Sequence, residues 1–554
     1  MLLLLNTNSQ SFLVNTMQKK YFGVMLDCSR NAVMSIDGLK RFILNLKKME
    51  YNTLLLYTED TYEVDGEPYF GYMRGKYTKN QLKEIVAYAA LHNIEVIPCI
   101  QTLAHLNQIF HWSVYQDIKD VNDILLVGNK KSYALIESMF KTLRECFTSD
   151  RIHIGMDEAH MLGFGKYRSV NGVRAQTDIF LEHLRKVCEI AEKYAFRPLI
   201  WSDMFFRMQF DGTYHIRDGA ISEEVKNAVP QNVGLVLWDY YHSDNLVYEH
   251  MLNMHKSFNR EVWFAGGLWK WVGFKAGNYR TLKNTRPALE ECERTGVTNI
   301  MMTAWGDDGN ECPVAALLPS LFFASEYVKG NKDLEQIKKK FKETLEENFD
   351  DFLLLDLILP DEFNKRADDS SGSRTMLFSD PFVGYLDSTV RGDLAEDKYY
   401  ANLAKRLKQA SERSKNFSYI FDSYSALCDV LSLKYSLGAV TRKAYQERNI
   451  KQIGQLLEKY DLVIEKLETF IRQFRKMWYQ DNKPFGFEVQ ELRLGGLLLR
   501  LKSCKQRLFE FYNGESNMIE ELEEKILDYH GEEKVTPAVT DILAYAKIVS
   551  PNVL

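Results

Sequence analysis

Arg151-Ile152-His153-Ile154-Gly155-Met156-Asp157-Glu158 runs an apolar strand into a glycine and then into two adjacent carboxylates. Like charges side by side repel, so the pair calls for a reason. Chance is the bland one: with 76 acidic residues in 554, Asp-Glu neighbours are expected, and most are solvated. The setting argues against chance. Ile152 and Ile154 mark a buried strand behind the pair, and a loop rich in glycine and aromatics, Ala159 to Tyr167, follows it. Carboxylates at the C-terminal end of a buried strand are where parallel barrels carry their chemistry.

Working outward, short apolar runs alternate with longer amphipathic ones from Tyr21 to about Val328. Eight read as strands: Tyr21–Asp27, Thr53–Tyr57, Glu95–Ile100, Arg151–Gly155, Pro198–Trp201, Gly234–Trp238, Glu261–Gly266 and Thr298–Thr303. Helix candidates lie between them at Ser35–Met49, Thr78–His92, Lys131–Phe147, Thr177–Tyr194, Leu246–Lys256 and Thr281–Arg294. Ala315–Val328 closes the set, and the fifth crossover, near Ser222–Ala228, is weakly patterned. Leu82, Ile85, Val86, Ala89 and Ala90 show the three- and four-residue spacing of one helix face. Eight strand–helix repeats in about 300 residues predict a (β/α)8 TIM barrel over residues 20–330. An open doubly wound sheet is the alternative, and the absence of Gly-x-Gly-x-x-Gly after the first strand weighs against its dinucleotide-binding form.

Residues 1–19 form an N-terminal extension. Residues 331–400 read as linker and irregular chain, helical in pattern only as far as Asp351. Residues 401–554 read as an all-α C-terminal domain with helices at Ala401–Ser414, Tyr419–Leu437, Ile450–Trp478, Phe487–Tyr512 and Met518–Leu527. Their apolar stripes are core by the ordinary use of amphipathic faces, and one could make a homodimer face. The segment Asn482 to Gly496 (NKPFGFEVQELRLGG) looks constrained, with no role that its residues alone assign.

A net charge of −6 leaves no basic footprint for nucleic acid. No stretch approaches a membrane span, and Met1–Leu5 is ended by Asn6 before it could form a signal core. Eight scattered cysteines without Cys-x-x-Cys suggest neither a disulfide scaffold nor a zinc site. The expectation is a cytoplasmic soluble protein without metal or cofactor.

Polar and aromatic residues collect where the barrel strands end. Strand one ends Leu26-Asp27-Cys28-Ser29-Arg30, and Gln101 to His105 follows strand three. Tryptophans stand at or near the ends of strands five to eight: Trp201, Trp238, Trp269 and Trp305. Indoles so placed would line a pocket and offer flat apolar faces to a ligand.

His153-x-Gly155-x-Asp157-Glu158 resembles the signature of glycoside hydrolase family 20, the β-N-acetylhexosaminidases. Their usual form is His-x-Gly-Gly-Asp-Glu. Met156 stands in place of the second glycine, a departure that bears on local backbone shape and not on the reacting pair. The likeness covers roughly residues 20–328 and includes Leu-Asp-x-x-Arg at Arg30. The helical C-terminal region is similar to one branch of the family.

The resemblance implies a carbohydrate substrate with a terminal N-acetylhexosamine and the following roles. Glu158 is the general acid and must carry its proton at working pH. Asp157 stays ionised and orients the substrate acetamide, whose carbonyl oxygen attacks the anomeric carbon, an exception to the two-carboxylate rule. Arg30 binds sugar hydroxyls, and His105 orients one of the carboxylates. Tyr240, or failing it Tyr241, holds the acetamide carbonyl, while Asp239 bonds the sugar or steadies that tyrosine. Asp307 or Glu311 binds an outer hydroxyl. Two rivals stay open: a two-carboxylate barrel glycosidase pairing Asp157 or Glu158 with Glu311 or Asp307, and a non-catalytic glycan-binding protein.

Overall fold

The computed structural model describes residues 20–358, 372–390, 392–528, 531 and 544–552. Eight parallel strands close in sequence order into a barrel. They are β1 (Tyr21–Asp27), β2 (Thr53–Tyr57), β3 (Glu95–Cys99), β4 (Arg151–His153), β5 (Arg197–Trp201), β6 (Gly234–Asp239), β7 (Val262–Gly267) and β8 (Asn299–Ala304). β1 closes on β8 from Tyr21↔Asn299 to Leu26↔Ala304. Nearly every strand residue is buried, as expected where helices cover a parallel sheet.

The crossover helices are α1 (Ile36–Lys48), α2 (Lys79–Leu91), α3 (Lys130–Cys146), α4 (Gln176–Lys193), α5 (Glu223–Ala228), α6 (Asn245–Lys256), α7 (Asn278–Thr295) and α8 (Leu318–Val328). Their starts are locally encoded. Ser35 accepts the Gly38 N–H at the head of α1, and Thr78 with Gln81 forms a reciprocal capping box on α2.

β4 is shorter than expected and meets β3 through one residue pair, Cys99↔His153. Gly155 and Met156 turn left-handed at φ 71° and 72°, which takes the chain out of the ladder just before the acid pair.

The C-terminal half packs against the barrel as helices α9 (Leu334–Leu345), α10 (Ala395–Arg413), α11 (Ser418–Lys434), α12 (Leu437–Gln446), α13 (Ile450–Asp481) and α14 (Phe487–Tyr512), with shorter turns between them. The helical pattern read in the sequence as far as Asp351 contains α9, and residues 359–371 and 391 of the expected linker lie outside the described residues. Ile337, Phe341 and Leu345 line up on one face of α9 and bury it, and α10 starts six residues before 401. The helix expected over Tyr419–Leu437 ends at Lys434 and a separate helix begins at Leu437; that expected over Met518–Leu527 shrinks to Glu520–Glu523. Phe274 of the barrel meets the rings of Phe470 and Phe474 on α13 at 5.7 and 5.6 Å, and its carbonyl accepts from Tyr424. Among the described residues no helix is long and apolar enough to cross a membrane. The N-terminal extension lies outside the described residues, and so does most of the stretch beyond Asp528.

Candidate active site

A cavity at the C-terminal ends of the strands is lined by Arg30, His105, Asp157, Glu158, Trp201, Trp238, Tyr240, Tyr241, Trp271, Trp305 and Asp307. The chain enters the acid pair under local constraint. Met156 sits left-handed and fully buried, and its N–H donates to Gln101 Oε1 at 3.1 Å. A side chain at Gly155 would place Cβ 2.0 Å from that same oxygen, so only glycine fits there. The position where the family signature has its second glycine therefore does demand glycine-like backbone, and Met156 holds it at some strain.

Asp157 is buried. Its Oδ1 accepts from Gln101 Nε2 at 2.8 Å and its Oδ2 lies 3.2 Å from His105 Nε2. Burial alone would raise its pKa, but the His105 charge and the bonds from His105 and Gln101 outweigh burial and hold it down, to about 2. His105 shows the mirror image: burial would lower it, and the neighbouring Asp157 raises it to about 10. Asp157 is thus an anion with its partner cation beside it. Glu158 differs in environment. Its side chain is 43% exposed at the cavity mouth, with Arg207 Nη2 3.8 Å from one oxygen and His105 Nε2 3.8 Å from the other. Its backbone N–H donates to Asp203 Oδ2 at 3.1 Å.

Arg30 forms the opposite wall. It pairs with Asp27 at 3.0 Å and Glu59 at 3.2 Å, and lies 3.7 Å from Asp307. A hydrogen-bond chain links the two walls. Arg30 meets Glu59, Glu59 accepts from the Tyr57 hydroxyl at 2.9 Å, that hydroxyl accepts from Gln101 at 3.0 Å, and Gln101 donates to Asp157.

The aromatic floor is built from β5 to β8. Tyr240 stacks on Trp238 (5.3 Å between ring centroids, 23° between planes), and Trp271 meets its edge. The Tyr240 hydroxyl accepts from Trp305 Nε1 at 3.0 Å and is hydrogen-bonded to the Thr303 side chain as well. Tyr240 is 5% exposed and Tyr241 46%, so the first is the buried wall and the second the rim. Trp201 is buried, and its Nε1 has no hydrogen-bond partner.

Three expected residues lie outside the lining. Trp269 is buried behind it: Nε1 donates to the Tyr240 carbonyl at 2.8 Å, and Arg280 lies 3.7 Å over the ring. Trp271, two residues on, takes the place expected for it. Asp239 accepts the Tyr241 and His242 N–H groups and faces His242 Nδ1 at 2.8 Å, so it steadies the strand-six loop and is not part of the cavity lining. Glu311 is buried between Arg374 (2.7 Å) and Arg493 (3.2 Å). Asp307 is therefore the strand-eight acid that faces the cavity.

Sequence reasoning passed over Gln101, Glu59, Trp271, Asp203 and Arg207. Asp203 is fully buried, and burial, then the Asp157 charge, push its pKa up to about 7. Gln101, Glu59 and Asp203 shared one legible signal, a polar side chain within two residues of the end of a buried strand. Among the described residues one group, His215, Asp239 and His242, has the spacing of metal ligands. Its atoms already serve each other, and His215 Nε2 also bonds the Trp238 carbonyl at 2.8 Å, so hydrogen bonding accounts for the cluster.

The catalytic-domain model of glycosyl hydrolase family 20 matches residues 20–246, and that of the glycoside hydrolase 20C C-terminal domain matches residues 350–540. Human hexosaminidase D is 29% identical over 220 residues, covering 38% of this chain and 43% of that protein. Bovine hexosaminidase D is 27% identical over 198 residues, covering 34% and 54%. The chain spans about half the length of these curated relatives. A solved chitobiase from Flavobacterium johnsoniae is 14% identical, covering 91% of this chain and 74% of that one, with a TM-score of 0.47. With the acid pair and its signature inside the first matched segment and most of the helical half inside the second, the chain belongs to glycosyl hydrolase family 20.

Proposed function

We propose that the protein is an exo-acting, retaining β-N-acetylhexosaminidase that removes terminal β-linked GlcNAc or GalNAc by substrate-assisted hydrolysis. The observation that carries the reading is one cavity that holds an anionic Asp157 and the Tyr240 hydroxyl, walled by indoles. An acetamide placed between them finds an acceptor for its N–H and a donor for its carbonyl. Trp201, Trp238, Trp271 and Trp305 confine it beneath the sugar ring, which raises the chance that its oxygen attacks the anomeric carbon. Asp157 then faces the positive charge of the oxazolinium intermediate.

Glu158 gives its proton to the leaving oxygen and next takes one from water. Arg30 and Asp307 bond the outer hydroxyls. The cytoplasmic setting expected from the sequence is part of this proposal, and the burial of all eight cysteines fits it.

A pairing of Asp157 or Glu158 with Glu311 has no support, since Glu311 is locked between two arginines away from the cavity. The decisive assay uses 4-nitrophenyl β-GlcNAc, β-GalNAc and β-glucoside, with and without a thiazoline mimic of the oxazolinium ion. Cleavage restricted to the N-acetyl substrates and blocked by the thiazoline is expected. Equal cleavage of the glucoside would remove the acetamide from the mechanism, and no cleavage at all would leave a binding protein.

A further inference from the structure

The segment Asn482 to Gly496, left without a role by the sequence, runs from the end of α13 into α14 and touches both loops that carry the sugar-binding wall. At its start, Asn482 bridges Met34 and the Lys483 N–H donates to the Val33 carbonyl at 2.8 Å. Lys483 Nζ donates to the Gly75 and Lys76 carbonyls at 2.8 and 3.1 Å. Gly486, at φ 87°, passes so close to Asn31, the residue after Arg30, that a Cβ would lie 2.2 Å from the Asn31 carbonyl oxygen. Further on, fully buried Gln490 donates to the Gly309 carbonyl at 2.8 Å, and Arg493 pairs with Glu311. A Cβ on Gly309 would stand 2.7 Å from Arg493 Nη1 and 2.9 Å from Gln490 Nε2, so loop and helix are in direct contact.

The other side of that loop is the cavity wall. Gly306 donates its N–H to Asp27 Oδ2 at 2.9 Å, and the same oxygen receives Arg30 Nη1. Lys270, buried behind, donates to the Trp305 carbonyl at 3.2 Å and to Asn310 Oδ1. The stretch from Trp305 to Glu311 is thus held from the front by Asp27 and Arg30, from below by Lys270, and from outside by α14.

We infer that Gln490 and Arg493 are positioning residues for substrate binding: through Gly309 and Glu311 they fix the strand-eight loop and with it the spacing of Asp307 and Arg30. The C-terminal helical domain is then a working part of the sugar site. The inference deepens the proposed function and rests on it for the sugar class. It predicts a selective effect. Asp157, Gln101 and His105 receive no hydrogen bond or ion pair from Gln490 or Arg493, and Trp305, which bonds Tyr240, follows β8 directly and is held by Lys270, so loosening the loop beyond it weakens sugar binding and spares the chemical step.

The experiment uses the full chain with Gln490→Ala, Arg493→Met and Arg493→Lys. Each is followed by kcat and KM on 4-nitrophenyl β-GlcNAc and by tryptophan fluorescence titration with free N-acetylglucosamine, with circular dichroism melts as the fold check. Loss of one buried bond predicts KM and Kd rising about tenfold in Gln490→Ala and in Arg493→Met. kcat should stay within about twofold, and Arg493→Lys should recover part of the loss. Unchanged Kd in a folded Gln490→Ala protein overturns the inference. So does a fall in kcat at constant KM, the pattern of a smaller folded fraction. Should Arg493→Met fail to fold, Gln490→Ala removes only a neutral donor and decides alone. A wild-type protein that binds the sugar without cleaving it would sink the catalytic reading, while the Kd comparison still tests this one.

Discussion

The two walls of the cavity are built in different ways. The acid wall is made within the barrel, by residues close in sequence to strand ends and held by a twisted local backbone: His105, Met156 and Glu158 all have positive φ. The sugar wall of Arg30 and Asp307 is made from loops after β1 and β8, and the second of these is held by residues nearly two hundred positions further along the chain. Groups that must meet reacting atoms within a fraction of an ångström sit on short, stiff connections. Groups that recognise an outer hydroxyl are tuned through a second domain. The chain of bonds Arg30–Glu59–Tyr57–Gln101–Asp157 is where the two constructions touch.

Breaking the acid wall should have the largest effect. Asp157→Asn is expected to lower kcat on 4-nitrophenyl β-GlcNAc by about a thousandfold or more, because no anion faces the developing cation. Glu158→Gln should cost about 10² to 10⁴ on substrates with poor leaving groups and far less on 4-nitrophenyl ones, which need no proton. Equal losses on both classes of leaving group would take the acid role from Glu158. Next in size is the aromatic floor. Tyr240→Phe keeps the stack on Trp238 and removes one donor aimed at the carbonyl, with an expected loss of about 10² in kcat. Steady-state kinetics showing only a raised KM would make Tyr240 a binding surface and nothing more.

Local construction explains what could be read in the sequence. The barrel was legible because each strand and crossover helix carries its own period and caps, as in Thr78 with Gln81. The acid pair was legible because its glycine and strand lie within eight residues of it. Trp269 and Trp271 were not separable: both are aromatic, both follow β7, and only the bond from Trp269 Nε1 to the Tyr240 carbonyl decides which faces inward. Glu311 was misplaced for a similar reason, since its partners Arg374 and Arg493 are remote in sequence. Long-range pairing is what a linear reading cannot supply, and it is what builds the sugar wall.

The smallest expected effects sharpen the comparison through pH. Asp157 titrates below the usual carboxylate range, because the His105 charge outweighs the burial that would raise it. The stabilisation this gives is present above about pH 4 and is lost as pH falls toward 2. His105 is raised, so its share is complete below about pH 6.5 and is lost as pH rises through about 10. His105→Ala leaves Asp157 buried without its cation. The acid limb of kcat/KM should then move up by about one to three pH units, and a limb that stays put would show that burial and Gln101 alone set the charge state.

Asp203 runs the other way. Burial and Asp157 raise it to about 7, so the folded state holds a proton that the unfolded chain releases above about pH 4, and its contribution to stability falls between those values. Asn cannot titrate. Asp203→Asn should therefore flatten the decline of the melting temperature between pH 4 and pH 7 by a few degrees and keep the bond to the Glu158 N–H through its amide oxygen. A wild-type slope left intact in that variant would mean that Asp203 stays ionised. The acid wall would then carry two anions, Asp157 and Asp203, at neutral pH, with Arg207 and His105 supplying the balance.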